Sequence, residues 1–490
     1  MIYSSAASTP SITFIKRDSV KLQTVIAIVL SAALSGPIGA QVVTFELATD
    51  ATGLTGVDKK QAAWIDYNDD GWTDLQSAEA IWGNDNGKTF VKDGPGGRHN
   101  AWADFNNDGF VDFFSAGTGI ISFQNADGTY TATRLSDRMN KVSDGAACVD
   151  FDGNGLVDIY WGGYEFNGNN QPDSLYLNLD NGSRIVKVWH TKGPSEAARG
   201  ITTCDFDNDG DTDIYISQYR LRPNALLVNG GVGQKGSQRT GQFGEGAARH
   251  GVTGGNGNGI GSAWGDLDND GLFDLFASNF AKPGQPQSRF LKNYGPEHGH
   301  RFKNMGQCGL HYQASYGSPA LGDYDNDGDL DLFLTTIYAD DAAVLYRNDG
   351  DWNFTNVTGE TGLRGIRSTT QAAWGDFDND GDLDLMSGGQ LWRNKGAAGN
   401  WLKVKLRGGD IRINRAAIGA QVRIKLGDKT LSRQVESSTG RGNMNDMTLH
   451  FGLGSHSKNV ELEISWPYIK SKQTVTAKVN TELSVVMDVP

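Results

Sequence analysis

The chain has 490 residues, of which 65 are Gly and only 12 are Pro, and its formal net charge is 44 − 58 = −14. With 38% apolar residues and 12 Trp, 15 Tyr and 21 Phe it can bury a large core, which excludes a disordered or collagen-like chain. The acidic balance argues against nucleic acid as a partner, because phosphate binding needs a basic surface. Abundant Gly and aromatic residues together predict short strands joined by tight turns.

Residues 1–40 have the order of a secretory signal peptide. Three basic residues precede an apolar run from Val25 to Leu34, and the small pair Gly39-Ala40 follows. A run of this length is too short to cross a bilayer, which takes ~20 residues. A short membrane anchor is the alternative. We expect a mature chain that begins near Gln41, has no transmembrane segment, and is secreted, or periplasmic or on the cell surface in a bacterium.

An acidic nine-residue motif occurs seven times between residues 66 and 384. Its pattern is Asp-x-(Asp/Asn)-x-(Asp/Asn)-Gly-x-x-Asp, and successive copies start 38, 46, 55, 61, 57 and 53 residues apart. We call the copies loops 1 to 7 and number the positions within each copy 1 to 9. Positions 1, 3, 5, 7 and 9 are, loop by loop, Asp66, Asn68, Asp70, Trp72, Asp74; Asp104, Asn106, Asp108, Phe110, Asp112; Asp150, Asp152, Asn154, Leu156, Asp158; Asp205, Asp207, Asp209, Asp211, Asp213; Asp266, Asp268, Asp270, Leu272, Asp274; Asp323, Asp325, Asp327, Asp329, Asp331; Asp376, Asp378, Asp380, Asp382, Asp384.

Other features recur in phase with these loops. An apolar residue follows each position 9, and in five repeats a short apolar stretch farther on ends in Asn, as at Asn293 and Asn348. Repeats of 40–60 residues with about four short strands are typical of propeller blades or solenoids. We predict an all-β protein, with a seven-bladed β-propeller over residues 41–399 and a small β domain over 400–490. The element Phe45–Leu54 precedes the first loop, and we expect it to complete the last blade and latch the ring.

The loop composition predicts a bound hard cation. Side chains at positions 1, 3, 5 and 9 and the backbone carbonyl at position 7 converge when the chain turns sharply at the position-6 Gly. Flexible carboxylates at this density favour Ca²⁺ over Mg²⁺. The loops contain no His or Cys, the residues that transition metals prefer, which argues against a transition metal. An EF-hand is excluded, since position 12 never carries Glu. We expect up to seven structural Ca²⁺ ions, with loops 1 to 3 the weaker candidates because each has one Asn ligand. The alternative is a set of ordinary Asp/Asn turns.

Cysteine does not hold this chain together. Only Cys148, Cys204 and Cys308 are present, an odd and low number for an exported protein of this length. Cys148 and Cys204 lie two and one residues before equivalent loops, which disfavours a bridge between them, and we expect both in the core.

The repeated loops resemble those of the FG-GAP/VCBS repeat family, found in integrin-type propellers, in which such loops bind Ca²⁺. From about residue 400 the acidic loops stop, and the stretches Trp401–Leu406, Asn414–Arg423, Leu449–Gly454 and Val460–Pro467 resemble the ASPIC/UnbV domain. That domain follows FG-GAP-type repeats in the cartilage acidic protein family and in bacterial exported relatives. The segment 440–445, Gly-Arg-Gly-Asn-Met-Asn, departs from the family's usual Gly-Tyr-Ser type. The resemblance implies secretion, calcium and binding, and no established reaction.

The leading functional hypothesis is an exported calcium-binding propeller that acts as an adhesion or matrix-interaction module. It would bind a protein or glycan through one ring face, and the C-terminal domain would be a second surface. The alternative is an enzyme or accessory factor acting on a polysaccharide or secondary metabolite in the central funnel, and a third option is a purely structural matrix component. No catalytic motif was found, and His298 and His300 are expected to be solvated. Acids, His and Arg lining the channel would favour the enzyme, and an aromatic patch on a ring face would favour binding.

Overall fold

A computed structural model describes residues 42–135, 143–167, 169–191, 197–230, 243–409 and 413–488. The expected signal peptide lies outside the described residues. Within them, helix is confined to α1 (Ala247–His250) and one 3₁₀ turn (Pro296–His298). The remaining elements are short strands, as the Gly-rich and aromatic composition predicts.

Seven four-stranded antiparallel sheets form the blades of the propeller. In chain order the strands of blade 1 are Ala63–Ile65, Asp74–Gln76, Ala80–Asp85 and Thr89–Pro95; of blade 2, Asn100–Ala103, Asp112–Ser115, Ile120–Gln124 and Tyr130–Arg134; of blade 3, Ala146–Val149, Asp158–Trp161, Ser174–Asn178 and Ile185–His190. Those of blade 4 are Ala198–Cys204, Asp213–Gln218, Ala225–Asn229 and Phe243–Glu245; of blade 5, Gly259–Gly265, Asp274–Asn279, Arg289–Asn293 and Phe302–Gly306; of blade 6, Tyr316–Gly322, Asp331–Thr336, Val344–Asn348 and Phe354–Asn356. Blade 3 also carries a small hairpin, Glu165–Phe166 with Asn169–Asn170.

The seventh blade confirms the predicted latch. Its strands Ala373–Gly375, Asp384–Ser387 and Gln390–Asn394 are completed by the N-terminal strand Phe45–Leu47. Phe45 pairs with Asn394 in antiparallel register, and its ring lies 6.1 Å from that of Trp374. The ring therefore closes by joining the two ends of the propeller segment, and Phe45–Leu47 becomes the outermost strand of the last blade.

Packing between blades follows from the first strands, whose residues are buried. Trp64 and Trp374, two residues before their loops, are 0% and 1% exposed. The Trp64 indole N–H donates to the carbonyl of Ala373 in blade 7 at 3.1 Å. Gly375 leaves room for it, since a Cβ there would lie 2.7 Å from the Trp64 ring. Cys148 and Cys204 are buried and free, as expected, and Cys308 is free and partly buried.

The C-terminal domain, residues 400–409 and 413–488, has two sheets. One contains Leu449–Gly454, Asn400–Arg407 and Glu482–Val486, with the last two strands parallel. The other contains Lys429–Gln434, Gln421–Leu426, Val460–Ser465 and Lys472–Ala477. The domain lies on the side of the ring that carries the acidic loops, as the backbone contact of Thr430 N with Asn269 O at 2.8 Å shows.

Residues 437–447, which we call the central segment, leave this domain and enter the channel of the ring. Met444 N donates to Ala62 O at 3.0 Å beside blade 1, and Gly440 N donates to Ser262 O at 2.9 Å in blade 5, across the ring. The central segment also forms hydrogen bonds with Cys148, Ile201, Leu321 and Trp374 in the first strands of blades 3, 4, 6 and 7. Met444 belongs to the same hydrophobic cluster as Trp102 in the first strand of blade 2. A segment of the C-terminal domain therefore fills the channel and ties the blades to one another.

Candidate metal centre

Each acidic loop joins the first strand of its blade to the second, and the turn is built by backbone conformation. The position-6 Gly has a positive φ in all seven loops, between 85° and 100°, which confirms the predicted turn. Position 4 is also left-handed, with φ between 53° and 69°, and it is occupied by Asn, Asp or Gly. These residue types tolerate that conformation best. Two left-handed residues in three bend the chain so that its side-chain oxygens point inward.

Backbone N–H groups satisfy part of each loop's carboxylate oxygens. In loop 6, Asp323 accepts hydrogen bonds from Asp327 N at 3.1 Å and Gly328 N at 2.9 Å, and Asp327 accepts one from Asp329 N at 2.9 Å. The same pattern recurs in the other six loops, with Asn154 in place of the position-5 aspartate in loop 3. The local hydrogen bonds expected of ordinary Asp/Asn turns, the alternative hypothesis, are therefore present. They do not use all the carboxylate oxygens of a loop.

Positions 1, 3 and 9 converge in loops 3 to 7. One carboxylate oxygen from each lies within 4.8 Å of the other two, in the groups Asp150/Asp152/Asp158, Asp205/Asp207/Asp213, Asp266/Asp268/Asp274, Asp323/Asp325/Asp331 and Asp376/Asp378/Asp384. Loop 3 belongs with the later loops because its single Asn stands at position 5, so the prediction that it is a weaker candidate is not borne out geometrically. Each group could hold a metal ion.

Several carboxylates of these groups have a buried oxygen without a hydrogen-bond partner. Oδ1 of Asp207, Asp268, Asp325 and Asp378 and Oδ2 of Asp213 have no hydrogen-bond partner. Burial raises the pKa of Asp325 to about 7, with repulsion from Asp327 adding to it. Burial and repulsion from Asp209 raise the pKa of Asp207 to about 6. Crowded, desolvated carboxylates of this kind are what a divalent cation relieves, and the donor set of oxygens alone fits a hard cation.

Loops 1 and 2 differ because position 3 is an asparagine. Asn68 Nδ2 donates to Asp70 Oδ2 at 3.0 Å, and Asn106 Nδ2 donates to Asp108 Oδ2 at 2.8 Å. Each amide thus takes up one carboxylate oxygen of the position-5 aspartate. Among the described residues these two loops form no group of three carboxylates, which agrees with their lower ranking from sequence.

Lysine side chains reach several loops. Lys405 Nζ of the C-terminal domain lies 2.7 Å from Asp66 Oδ2 in loop 1, and Lys403 Nζ lies 3.0 Å from Asp376 Oδ2 in loop 7. In loop 5, Lys292 contacts Asp268 and lies 2.7 Å from Asp270 Oδ2. Among the described residues, loop 4 has no Lys or Arg within 4.0 Å of its carboxylates.

The structure gives a role to the recurrent asparagine that sequence analysis left unexplained. At the end of the third strand of blade 6, Asn348 Nδ2 donates to Leu267 O of blade 5 at 2.9 Å, and Asn348 N donates to Asp331 Oδ1 at 2.9 Å. Equivalent bonds to the preceding blade are made by Asn84, Asn178, Asn229, Asn293 and Asn394. The regular spacing of these asparagines relative to the acidic loops was the feature of the sequence that could have indicated a shared structural role.

Comparison with known proteins agrees with this geometry. A family model described as FG-GAP-like repeat matches residues 150–216 and 303–387, and one described as ASPIC and UnbV matches residues 410–488. The chain carries FG-GAP-like repeats followed by an ASPIC/UnbV domain. The resemblance stated from sequence is thereby confirmed, and the FG-GAP-like matches contain loops 3, 4, 6 and 7.

Curated relatives include cartilage acidic protein 1. The Xenopus tropicalis protein is 28% identical over 181 residues, and the human protein is 27% identical over 188 residues. These alignments take in 35% and 36% of this chain and 27% of each relative, so the chain spans about a quarter of the relatives it matches.

Solved structures with a related arrangement share little sequence with this FG-GAP-repeat chain. The Bacillus licheniformis rhamnogalacturonan lyase PL11 is 14% identical with a TM-score of 0.38, covering 79% of this chain and 72% of its own. Saccharomyces cerevisiae Sqt1 is 10% identical with a TM-score of 0.39, covering 81% and 99%. Within the described residues, no helix is both long and apolar enough to span a membrane.

Proposed function

We propose that this protein is an exported calcium-binding propeller that uses bound Ca²⁺ as a structural component and binds a protein or glycan ligand. The observation that carries the calcium part is the convergence of three carboxylates within 4.8 Å in each of five loops. Flexible carboxylate sites with several oxygens favour Ca²⁺ over the smaller Mg²⁺, which demands stricter geometry. The proposal of export is supported by the signal-like N-terminal sequence and by the similarity to cartilage acidic protein 1.

The stabilisation would be large for a chain without disulfides. Extracellular calcium modules bind at about 0.1–1 mM. At millimolar calcium, a site with a dissociation constant of ~0.1 mM adds about 1.4 kcal/mol to the free energy of unfolding. Several such sites together approach the whole stability of an ordinary domain.

The test measures thermal unfolding in excess chelator, in 2 mM CaCl₂ and in 2 mM MgCl₂, for the native chain and for Asp325→Asn. We expect calcium to raise the melting temperature strongly and magnesium to raise it less. In Asp325→Asn the calcium-induced rise should shrink, while the melting temperature in chelator should stay or increase, because one repelling carboxylate is gone.

Asp340→Asn is the matched control, since it removes an exposed carboxylate from the same blade. It should leave both melting temperatures unchanged. Identical melting curves of the native chain in chelator and calcium would refute the proposal.

Binding is favoured over catalysis by two features of the ring. Second strands begin at the loops, so residues after their ends lie on the side away from the C-terminal domain. There Tyr312 and Tyr338 are 45% and 48% exposed, and Tyr338 packs edge-on against Phe280 at 5.2 Å. The channel in which an enzyme would take its substrate is occupied by the central segment.

Screening glycan and protein arrays with and without calcium tests the proposed binding of a ligand. We expect selective, calcium-dependent retention of the protein on the array. A matrix component without any selective ligand would show no such retention.

A further inference from the structure

The tip of the central segment meets a cluster of charged side chains at the end of the channel away from the acidic loops. We call this cluster the far mouth; it consists of His99, Asp144, Arg199 and Arg441. Arg441 Nη2 lies 2.6 Å and Arg199 Nη1 3.2 Å from the same oxygen, Asp144 Oδ2. His99 Nε2 lies 3.7 Å from Asp144 Oδ1.

The charges of the far mouth do not balance. Two guanidinium groups face one carboxylate, and burial lowers the pKa of His99 to about 4, so the imidazole is neutral at pH 7. Burial alone would raise the pKa of Asp144, but the guanidinium charges of Arg441 and Arg199 outweigh burial, so the pKa is lowered and the carboxylate is ionised. Among the described residues no second carboxylate comes within 4.0 Å of either arginine. Counted over the described residues, the cluster therefore carries one positive charge more than it has negative charges.

That charge is largely withdrawn from water. The side chains of Arg199 and Arg441 are each 14% exposed and that of Asp144 is 10% exposed. The Nε atoms of both arginines and Nδ1 of His99 are buried and have no hydrogen-bond partner. A buried donor or charge left without a partner costs free energy unless a ligand supplies the acceptor.

Both arginines are held in place before any ligand arrives. The Arg199 guanidinium lies 4.1 Å from the ring centre of Tyr164 and 4.5 Å from that of Tyr219, and its Nη2 donates to Tyr164 Oη at 2.6 Å. The backbone N–H of Arg441 donates to Ser318 Oγ at 2.9 Å. A fixed guanidinium suits recognition of an anion through two oxygens at once.

We propose that the far mouth is a binding site for an oxyanion with at least two oxygens, either a free inorganic anion or the carboxylate of an acidic sugar. The anion would accept hydrogen bonds from Arg199 and Arg441 and supply the missing negative charge. This deepens the binding half of the proposed function and rests on it, but it does not require the acidic loops to hold calcium.

The test uses the full chain in saturating calcium and measures binding by isothermal titration calorimetry at constant ionic strength set with NaCl. The probes are sodium sulfate, sodium glucuronate and, as a neutral sugar, glucose. We expect sulfate or glucuronate to bind and glucose not to bind. Binding of sulfate alone indicates an inorganic anion or sulfate group, and binding of glucuronate indicates a sugar carboxylate.

Arg441→Gln should weaken binding of the responding anion by at least tenfold. Arg220→Gln is the matched control, because Arg220 belongs to blade 4 like Arg199 but is exposed and already paired with Glu165. It should bind as the native chain does. If Arg441→Gln fails to fold, Arg199→Lys replaces it, since that change keeps the charge and removes the planar fork.

Two results would overturn the inference. One is a native, calcium-stabilised chain that binds neither anion. The other is equal affinity in the native chain and in a folded Arg441→Gln or Arg199→Lys. Loss of calcium stabilisation with retained anion binding would instead contradict only the calcium half of the proposed function.

Discussion

In six of the seven loops the aspartate at position 9 connects its blade to the loop on one side and to the third strand on the other; in loop 4 only the bond to the third strand is present. In blade 5, Asp274 accepts hydrogen bonds from Leu267 N at 3.1 Å and from Asn293 N at 2.8 Å. Asn293 in turn donates from Nδ2 to Phe206 O in blade 4 at 2.9 Å. One carboxylate and one amide thus join the acidic loop, the sheet and the neighbouring blade.

Replacing Asn293 with alanine tests this connection. Asn293→Ala removes donors to Phe206 O and Phe273 O in a fully buried position, and leaves the Phe206 carbonyl without this donor. We expect the free energy of unfolding to fall by about 1–3 kcal/mol, measured by urea denaturation in saturating calcium. Gln287→Ala, at an exposed position of the same blade, should change it little; equal effects would contradict the assigned role.

Among the elements, the central segment has the most far-reaching contacts. Gly440 has a φ of 61°, and a Cβ on it would collide with the Ser318 side chain and lie 2.6 Å from Pro319 O. Gly427, in a hairpin of the C-terminal domain, has nearly the same φ of 62° and no atom within 4 Å of that place. The two glycines therefore share a backbone requirement and differ in packing.

This pair separates backbone strain from packing in the channel. Gly427→Ala should cost about 1 kcal/mol, from the left-handed conformation alone. Gly440→Ala should cost about 1–3 kcal/mol more, because the added methyl group forces the segment away from blade 6. The measurement is chemical denaturation of both variants in calcium, and equal losses would show that the channel tolerates displacement of the segment.

Sequence analysis anticipated the local elements better than the contacts between them. The loop residues, the position-6 Gly and the latch at Phe45 were predictable, because each depends on a short pattern repeated in phase. Met444 and Arg441 were not, because their partners lie hundreds of residues away and no periodicity marks them. In the sequence, the segment 440–445 was notable only because it differs from the family pattern. In the structure, these residues lie in the channel of the ring.

For the whole molecule, the acidic loops predict an unusual pH dependence. Burial and repulsion from neighbouring acids raise the pKa of Asp205, Asp325 and Asp378 to about 7 and that of Asp211 to about 8. Unfolded Asp titrates near 3.9, so between about pH 4 and 8 the folded, metal-free protein binds more protons than the unfolded chain. Its stability is therefore full below pH 4 with respect to these groups and is lost as pH rises through 7 to 8.

We expect the melting temperature of calcium-stripped protein to fall from pH 5 to pH 8. Saturating calcium should abolish or reverse this fall, because the cation replaces the protons on the same carboxylates. Differential scanning calorimetry at both pH values, with and without calcium, checks the prediction. A melting temperature of the stripped protein that rises with pH would contradict the raised pKa values.

Closure of the ring also constrains the order in which the molecule can be completed. The strand Phe45–Leu47 pairs with Gln390–Asn394, which follows it in the chain by nearly the whole length of the propeller. The residues that fill the channel, 437–447, come later still. During synthesis from the amino end, the chain can form single blades in turn. The ring can close only after residues 390–394 have been synthesised, and the channel can be filled only after residues 437–447. Contacts of such sequence separation slow folding, so pairing of the strand Phe45–Leu47 depends on residues 390–394, and filling of the channel depends on residues 437–447.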